Sequence, residues 1–339
     1  MRDITGRLDA IERVRLAHLP TPVVEAPRLA EHAGLRRLLI KRDDMTGLAM
    51  GGNKARKLEY DLAGAVSSGC DLLITIGGTQ SNHAAMTAAA GRRLGLGVKL
   101  VLGGPDFERF DGNLALDALY GAEIRYLVDD ANDSLAAAMA EWVVELRAAG
   151  HRPFAVPLGG STGAGALGYV QAARELAGQL GDGPLQIVTA VGSCGTLAGL
   201  ALGARLFLPR ARVVGISVSR TAREITERTL ELEREAAGLL GVEAAMAAGD
   251  VECYDAYVSE YGVPTAAGND AIRTAARLEG LLLDPVYTGK SMSGLLDLAR
   301  RGVLDPAVPT VFLHSGGLPI VFAFADLVRP AALCTKIRR

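Results

Sequence analysis

Residues 71–102 read DLLITIGGTQSNHAAMTAAAGRRLGLGVKLVL. An apolar run, Asp71 to Ile76, meets a glycine pair; an Ala-rich stretch with helical spacing follows over Asn82 to Leu94, and a second apolar run covers Val98 to Leu102. Short continuous apolar runs suit strands covered on both faces, and a helix between two such strands makes them parallel. The same alternation continues along the chain. Further strands are predicted over 37–41, 123–127, 186–191, 213–218 and 311–313. Helices are predicted over 53–68, 112–121, 131–149, 164–180, 196–206, 220–240, 267–279 and 289–301. Strand and helix in alternation predict an α/β protein built on parallel sheet with helices on both faces. Ligands of such sheets bind at the carboxyl ends of the strands, where the glycines gather here.

The chain has 339 residues, 49% apolar and 22% charged, enough for two domains at about 150 residues each. The 41 glycines make up about 12%, well above an average near 7%. A net charge of −2 argues against a nucleic-acid or membrane-surface partner held by charge. The opening residues, MRDITGRLDAIERV, carry charges where a secretory segment needs an apolar run. No stretch approaches the roughly 18 apolar residues of a membrane span, so a soluble, cytoplasmic protein with no membrane partner is expected. Cys70, Cys194, Cys253 and Cys334 show no CxxC spacing, which predicts reduced thiols and no metal site. Residues 157–163 (PLGGSTG) are the most linker-like stretch and serve equally as a domain crossover or a ligand loop.

Five segments can carry chemistry. In Met50 to Tyr60 (MGGNKARKLEY) a glycine pair precedes a helix that Asn53 can cap, and Lys54 projects from its first turn. The helix dipole there disfavours an ammonium and suits a neutral, nucleophilic amine, although spacing alone favours a solvated surface lysine. Gly77 to His83 (GGTQSNH) follows a strand. It makes an anion cradle of backbone N–H groups fit for a carboxylate, or an ordinary turn with Ser81 as cap. Gly192, Ser193, Cys194, Gly195 and Thr196 follow the strand QIVTAV and form a phosphate cup at a helix start. Without the lysine of an NTPase loop and without GxGxxG, that cup suits a cofactor phosphate that is held, not transferred. Asp284 to Ser291 (DPVYTGKS) and His314 to Gly317 (HSGG) are two more strand-end turns with hydroxyls.

Taken in this order, GGNKxRKLE, QSNH and DPVY resemble the fold-type II pyridoxal-phosphate enzymes, the tryptophan synthase β-subunit group. Within it the chain is similar to the family of 1-aminocyclopropane-1-carboxylate deaminase and D-cysteine desulfhydrase, which also contains L-cysteate sulfo-lyases. The match runs from Leu19 to Gly317. The resemblance implies two domains, each an open, mostly parallel sheet flanked by helices. Residues 51–160 would be a small domain inserted in a large one formed by 1–50 and 161–339. It implies a homodimer, a pyridoxal 5'-phosphate cofactor and a small amino-acid substrate.

Residue by residue, the resemblance makes Lys54 the lysine that holds the cofactor covalently. Asn82 matches the partner of the cofactor's phenolic oxygen. Ser81 stands beside the substrate, with the backbone of Ser81, Asn82 and His83 receiving its carboxylate. Residues 192–196 match the phosphate loop, where Cys194 departs from the usual glycine or alanine. Tyr261 and Tyr287 match two active-site tyrosines. Thr288 stands where the deaminases carry a glutamate paired with the pyridine nitrogen, and Ser315 replaces an apolar residue. A hydroxyl partner supplies no negative charge to keep that nitrogen protonated. A weaker electron sink suits β-elimination better than ring opening.

The implied reaction is α,β-elimination from a β-substituted amino acid. The freed Lys54 amine removes the Cα proton, hydrosulfide or sulfite leaves, and pyruvate and ammonia follow. D-cysteine is the first expectation, then L-cysteate, then the cyclopropane. Two other classes stand beside it. A non-catalytic ligand-binding homologue would lack colour on purification, and a sugar- or nucleotide-phosphate transferase would depend on a divalent metal.

Overall fold

The computed structural model describes residues 2–104, 110–324 and 327. Cys334 lies outside the described residues. Ten strands are β1 (Val23–Glu25), β2 (Leu38–Lys41), β3 (Leu72–Gly78), β4 (Gly97–Gly103), β5 (Glu123–Leu127), β6 (Pro153–Val156), β7 (Leu185–Val191), β8 (Ala211–Ser217), β9 (Glu252–Tyr254) and β10 (Thr310–Leu313). The helices are α1 (Arg2–Ala10), α2 (Pro27–Ala33), α3 (Asn53–Asp61), α4 (Ala63–Ser67), α5 (Asn82–Arg93), α6 (Gly112–Leu119), α7 (Asn132–Ala148), α8 (Gly163–Leu180), α9 (Gly195–Phe207), α10 (Ala222–Leu240), α11 (Ala266–Glu279), α12 (Thr288–Arg300) and α13 (Leu318–Ala323).

Two sheets result. The smaller has the order β5-β4-β3-β6, and every pair in it is parallel. The larger has the order β1-β2-β10-β7-β8-β9; only β1, an edge strand, runs antiparallel to its neighbour. The expected α/β class with mostly parallel sheets is what the structure shows. The central strands are buried along almost their whole length, LQIVTAV of β7 completely, which is the burial their mainly apolar runs demand.

Helix α8 lies at the centre and packs on α3, α9 and α10. Its approach to α9 is close because Gly199 has no side chain: a Cβ there would stand 2.1 Å from Ala166 O. Below α8 sits a buried charge cluster. Arg56 donates to both carboxylate oxygens of Asp43 and to Glu175, while Lys41 donates to Glu175. The Tyr169 hydroxyl donates to Asp43 Oδ2 at 2.6 Å. These bonds tie β2 and the loop after it to α3 and α8, which fixes where α3 begins.

Candidate active site

The glycine turns after β3, β7 and β10 and the start of α3 converge on one cavity of about 730 Å³. Lys54, Ser81, Asn82, His83, Tyr261, Tyr287 and Ser315 line it, with Gly192, Ser193, Cys194 and Thr196. Five segments scattered over more than 260 positions thus meet at strand ends, as an open α/β sheet requires.

Lys54 is the second residue of α3. The helix is not capped by Asn53 as expected: Gly52 is its N-cap, and the Asn53 amide instead donates to Thr196 Oγ1 at 3.0 Å. This bond and the backbone bond from Asn53 N to Ser315 O (2.9 Å) fasten the start of α3 to the larger sheet. Lys54 Nζ donates to Gly159 O at 3.1 Å. Burial pushes its pKa down to about 8, against the attraction of Asp61. Loss of hydration, more than the helix dipole, therefore prepares this amine to be neutral.

A second lysine lies one turn on. Lys57 Nζ donates to Gly159 O (2.7 Å) and Ser161 Oγ (2.6 Å), and burial together with Lys54 holds it well below the ordinary lysine range. Ser161 Oγ donates to Ser193 Oγ at 2.7 Å, so the stretch 157–163 is fastened to the turn after β7. Asp61, near both amines, is pushed up to about 6 by burial.

Ser81 caps α5, its Oγ accepting from Ala84 N at 3.2 Å, so the cap and the anion cradle coexist at one turn. Asn82 Oδ1 accepts from Asn113 Nδ2 at 2.7 Å, which fixes the amide and leaves its Nδ2 for a guest in the cavity. The Thr75 hydroxyl donates to Val156 O (2.8 Å), so at its contact with His83 Nε2 (2.9 Å) the imidazole is the donor. Burial and the two lysines hold His83 well below its ordinary pKa. This neutral ring is a packed group, not an acid.

In the cup after β7, Ser193 and Cys194 have backbone N–H groups that donate to no described residue. Cys194 is the N-cap of α9 with φ 68°, a left-handed conformation unusual for a residue with a Cβ. Its thiol, pushed up by burial, packs with Val191, Leu197, Ala198 and Ile225. Gly195 does not reach the cavity; its N–H turns back to Ser193 O (3.0 Å) and Ser161 Oγ (3.3 Å).

Thr288 is held by Asp284. It is fully buried outside the cavity lining; its hydroxyl donates to Asp284 Oδ2 (2.6 Å) and accepts from Asp284 N (2.8 Å). As the first residue of α12 it closes the turn that Asp284 makes, because Asp284 also accepts from the N–H groups of Val286, Tyr287 and Thr288. The hydroxyl that faces the cavity is Ser315. Asp284, quoted only as part of DPVY, itself lines the cavity, and burial raises its carboxyl above the ordinary range despite these donors.

Tyr261 OH and Tyr287 OH lie 2.8 Å apart with rings edge-to-face at 6.2 Å. Burial raises both pKa values, so both phenols are protonated at neutral pH. Tyr261 crosses to the smaller sheet, where a Cβ on Gly78 would stand 3.1 Å from its ring. Arg220 also lines the cavity; it belongs to no motif, and no signal in the sequence marked it.

The donor set fits pyridoxal phosphate. Free N–H groups at the start of α9 with the hydroxyls of Ser193 and Thr196 suit a phosphate. Lys54 suits an aldehyde carbon, and Asn82 Nδ2 suits a phenolic oxygen. No cluster of three His, Cys, Asp or Glu side chains that could hold a metal occurs among the described residues.

A family model described as pyridoxal-phosphate dependent enzyme matches residues 14–316. The D-cysteine desulfhydrases of Salmonella choleraesuis (strain SC-B67) and Salmonella paratyphi B (strain ATCC BAA-1250 / SPB7) are each 41% identical to this chain over 325 residues, 94% of this chain and 97% of theirs. A crystal structure described as an ACC deaminase homologue superposes with a TM-score of 0.89 at 41% identity, covering 96% of this chain and 98% of its own. O-ureido-L-serine synthase, at 18% identity and a TM-score of 0.67 over 96% of this chain and 95% of its own, shares the fold. With cavity, donors and sequence in agreement over most of its length, the chain belongs to the pyridoxal-phosphate dependent enzyme family.

Proposed function

We propose that this enzyme is a carbon–sulfur lyase that converts D-cysteine to pyruvate, hydrogen sulfide and ammonia. The observation that carries the reading is the Lys54 amine, brought to a pKa of about 8 by burial at one end of a cavity whose other donors match the cofactor. The 41% identity to D-cysteine desulfhydrases supports the substrate.

When bound, the cofactor delocalises the electron pair left at Cα. The protein does the rest. The N-terminus of α5 and Ser81 receive the substrate carboxylate, which fixes Cα against Lys54. Lys54 Nζ, about half neutral near pH 8, accepts the Cα proton as general base. The paired phenols of Tyr261 and Tyr287 stay protonated; Tyr287 donates its proton to the departing sulfur, and Tyr261 covers the substrate.

L-cysteate is the second reading, favoured by Arg220, whose side chain lines the cavity and has no ion-pair partner among the described residues. A sulfonate suits such a guanidinium. Residues 51–160 are proposed as the small domain, since the β5-β4-β3-β6 sheet draws only on residues 72–156. A homodimer in the cytoplasm is proposed on the family resemblance and the absence of a thiol pair among the described residues; size-exclusion chromatography with light scattering checks the former.

The test is a pyruvate assay run in parallel with D-cysteine, L-cysteine, L-cysteate, D-serine, β-chloro-D-alanine and 1-aminocyclopropane-1-carboxylate. D-cysteine is expected to be turned over best. Pyruvate from L-cysteate alone overturns the substrate, and 2-oxobutyrate from the cyclopropane overturns the elimination reading. Borohydride trapping and peptide mapping must place the cofactor on Lys54, and Lys54→Ala must lose both the label and turnover.

A further inference from the structure

Lys290 lies on α12, one turn beyond Tyr287, and none of its side chain reaches solvent. Burying an ammonium costs several kcal/mol without a carboxylate partner. Yet among the described residues no carboxylate lies within ion-pair distance. Nζ donates to Val218 O (3.1 Å) and Ser259 Oγ (2.7 Å). Asp284 attracts it only at longer range, and burial lowers its pKa to about 8. So expensive an arrangement invites a purpose beyond packing.

Its second partner supplies one. Ser259 Oγ donates onward to Val263 O at 2.6 Å, which closes the segment Ser259–Val263 into a loop. Tyr261 stands at the middle of that loop, touching Tyr287 and lying against Gly78 on the far side of the cleft. Little apolar burial holds the loop there. Val258, Tyr261 and Val263 are 40%, 47% and 45% exposed. Tyr257, just before it, is anchored separately through its hydroxyl on Asp297 (2.7 Å). Beyond Tyr257, two hydrogen bonds tie this loop to the start of α12: Lys290 Nζ to Ser259 Oγ at its base and Tyr261 OH to Tyr287 OH at its tip.

We propose that Lys290 is a positioning residue for the amino-acid site: through Ser259 it holds the 259–263 loop down so that Tyr261 closes the cleft over the substrate. The inference rests on reading the cleft as an amino-acid site. It makes a specific division of effects. Lys290 touches no reacting atom, so losing its tie weakens substrate binding while leaving Lys54 and the phosphate cup in place.

The experiment uses the holoenzyme of Lys290→Met, Ser259→Ala and the double variant. Lys290→Met is expected to raise KM about tenfold with kcat lowered less than about threefold, because the lost contact acts on binding. The visible absorption of the bound cofactor should not change. Chymotrypsin should cut after Tyr261 at least about tenfold faster than in the parent, since local opening becomes cheaper. Ser259→Ala should move both readouts the same way, and the double variant should be no worse than Lys290→Met alone. Unchanged KM and cleavage, additive effects, or a change in melting temperature alone overturns the proposal. If Lys290→Met does not fold, Ser259→Ala decides, and a wild-type response in it overturns the proposal. The cleavage measurement needs no turnover, so it still reads if the proposed substrate is wrong.

Discussion

Two side chains, Lys54 and the hydroxyl facing the cavity, decide what this site can do. An amine with a pKa of about 8 is mostly protonated at pH 6 and mostly neutral at pH 9. Covalent capture of pyridoxal phosphate by the cofactor-free protein should therefore quicken about tenfold per pH unit below 8 and level off above it, where an ordinary lysine would still be gaining toward its usual pKa. Stopped-flow absorbance after mixing checks this, and a rate still climbing at pH 9.5 contradicts it. Thr288 and Ser315 make a paired prediction. Thr288→Val removes two bonds to buried Asp284 and should destabilise the protein by about 1–3 kcal/mol, read by urea unfolding. Ser315→Ala should leave stability within about 0.5 kcal/mol but slow turnover about tenfold, the loss of one hydrogen bond to the cofactor ring. The motif made both positions visible in the sequence. Which hydroxyl faces the cavity was not visible, because it depends on Asp284 drawing Thr288 into the first turn of α12. For the same reason Lys290 went unnoticed, its partner Ser259 being 31 positions away.

At the scale of elements, α8 offers a contrast within one helix packing. Gly199→Ala on α9 would press a methyl to 2.1 Å from Ala166 O of α8, and should cost about 2–3 kcal/mol or more because backbone cannot yield. Gly178→Ala on α8 meets nothing within 4 Å and should add about 0.5–1 kcal/mol through helix propensity. Thermal unfolding of the two variants should move in opposite directions; a shared direction refutes the packing argument. The elements themselves were read well where the run is mainly apolar. Strands β3, β4, β7, β8 and β10 carry mainly apolar runs, and the sequence located each to within two residues. The three unpredicted strands, β1, β6 and β9, are all sheet edges of three or four residues with partial exposure. Half-exposed edges need no long apolar run, so they leave little pattern to read. Pro153 opens β6 where an edge strand tolerates a missing N–H. Helices α1, α2 and α13, of nine, seven and six residues, are too short for a clear period.

For the whole molecule, stability against pH sums over buried groups whose pKa values folding moves. Asp43 is held below its ordinary value: burial opposes its charge, but Arg56 and the Tyr169 hydroxyl outweigh burial. Its contribution is present at neutral pH and lost as pH falls through its lowered pKa. Asp117 has the opposite sign. It is 1% exposed on α6, neither carboxylate oxygen has a partner among the described residues, and burial pushes it up to about 8. A carboxyl raised this way favours folding fully only below pH 3.8, and the fold pays about 1.4 kcal/mol per pH unit from there to about 8. Asp61, at about 6, adds the same sign over a shorter range. Lys54, lowered from 10.5 to about 8, costs the cofactor-free fold stability as pH falls from 10.5 to about 8, and that cost is constant below. Comparing Asp117→Asn with the parent cancels Asp61, Lys54 and the acid limb of Asp43, since none contacts Asp117. The asparagine leaves a polar group unsatisfied, but its cost is the same at every pH. Between pH 5 and 7.5 the difference in unfolding free energy should therefore move toward the variant by about 3 kcal/mol. Urea unfolding at the two pH values measures this. Parallel stability curves would mean that Asp117 is hydrated in solution and that α6 does not seal it from water.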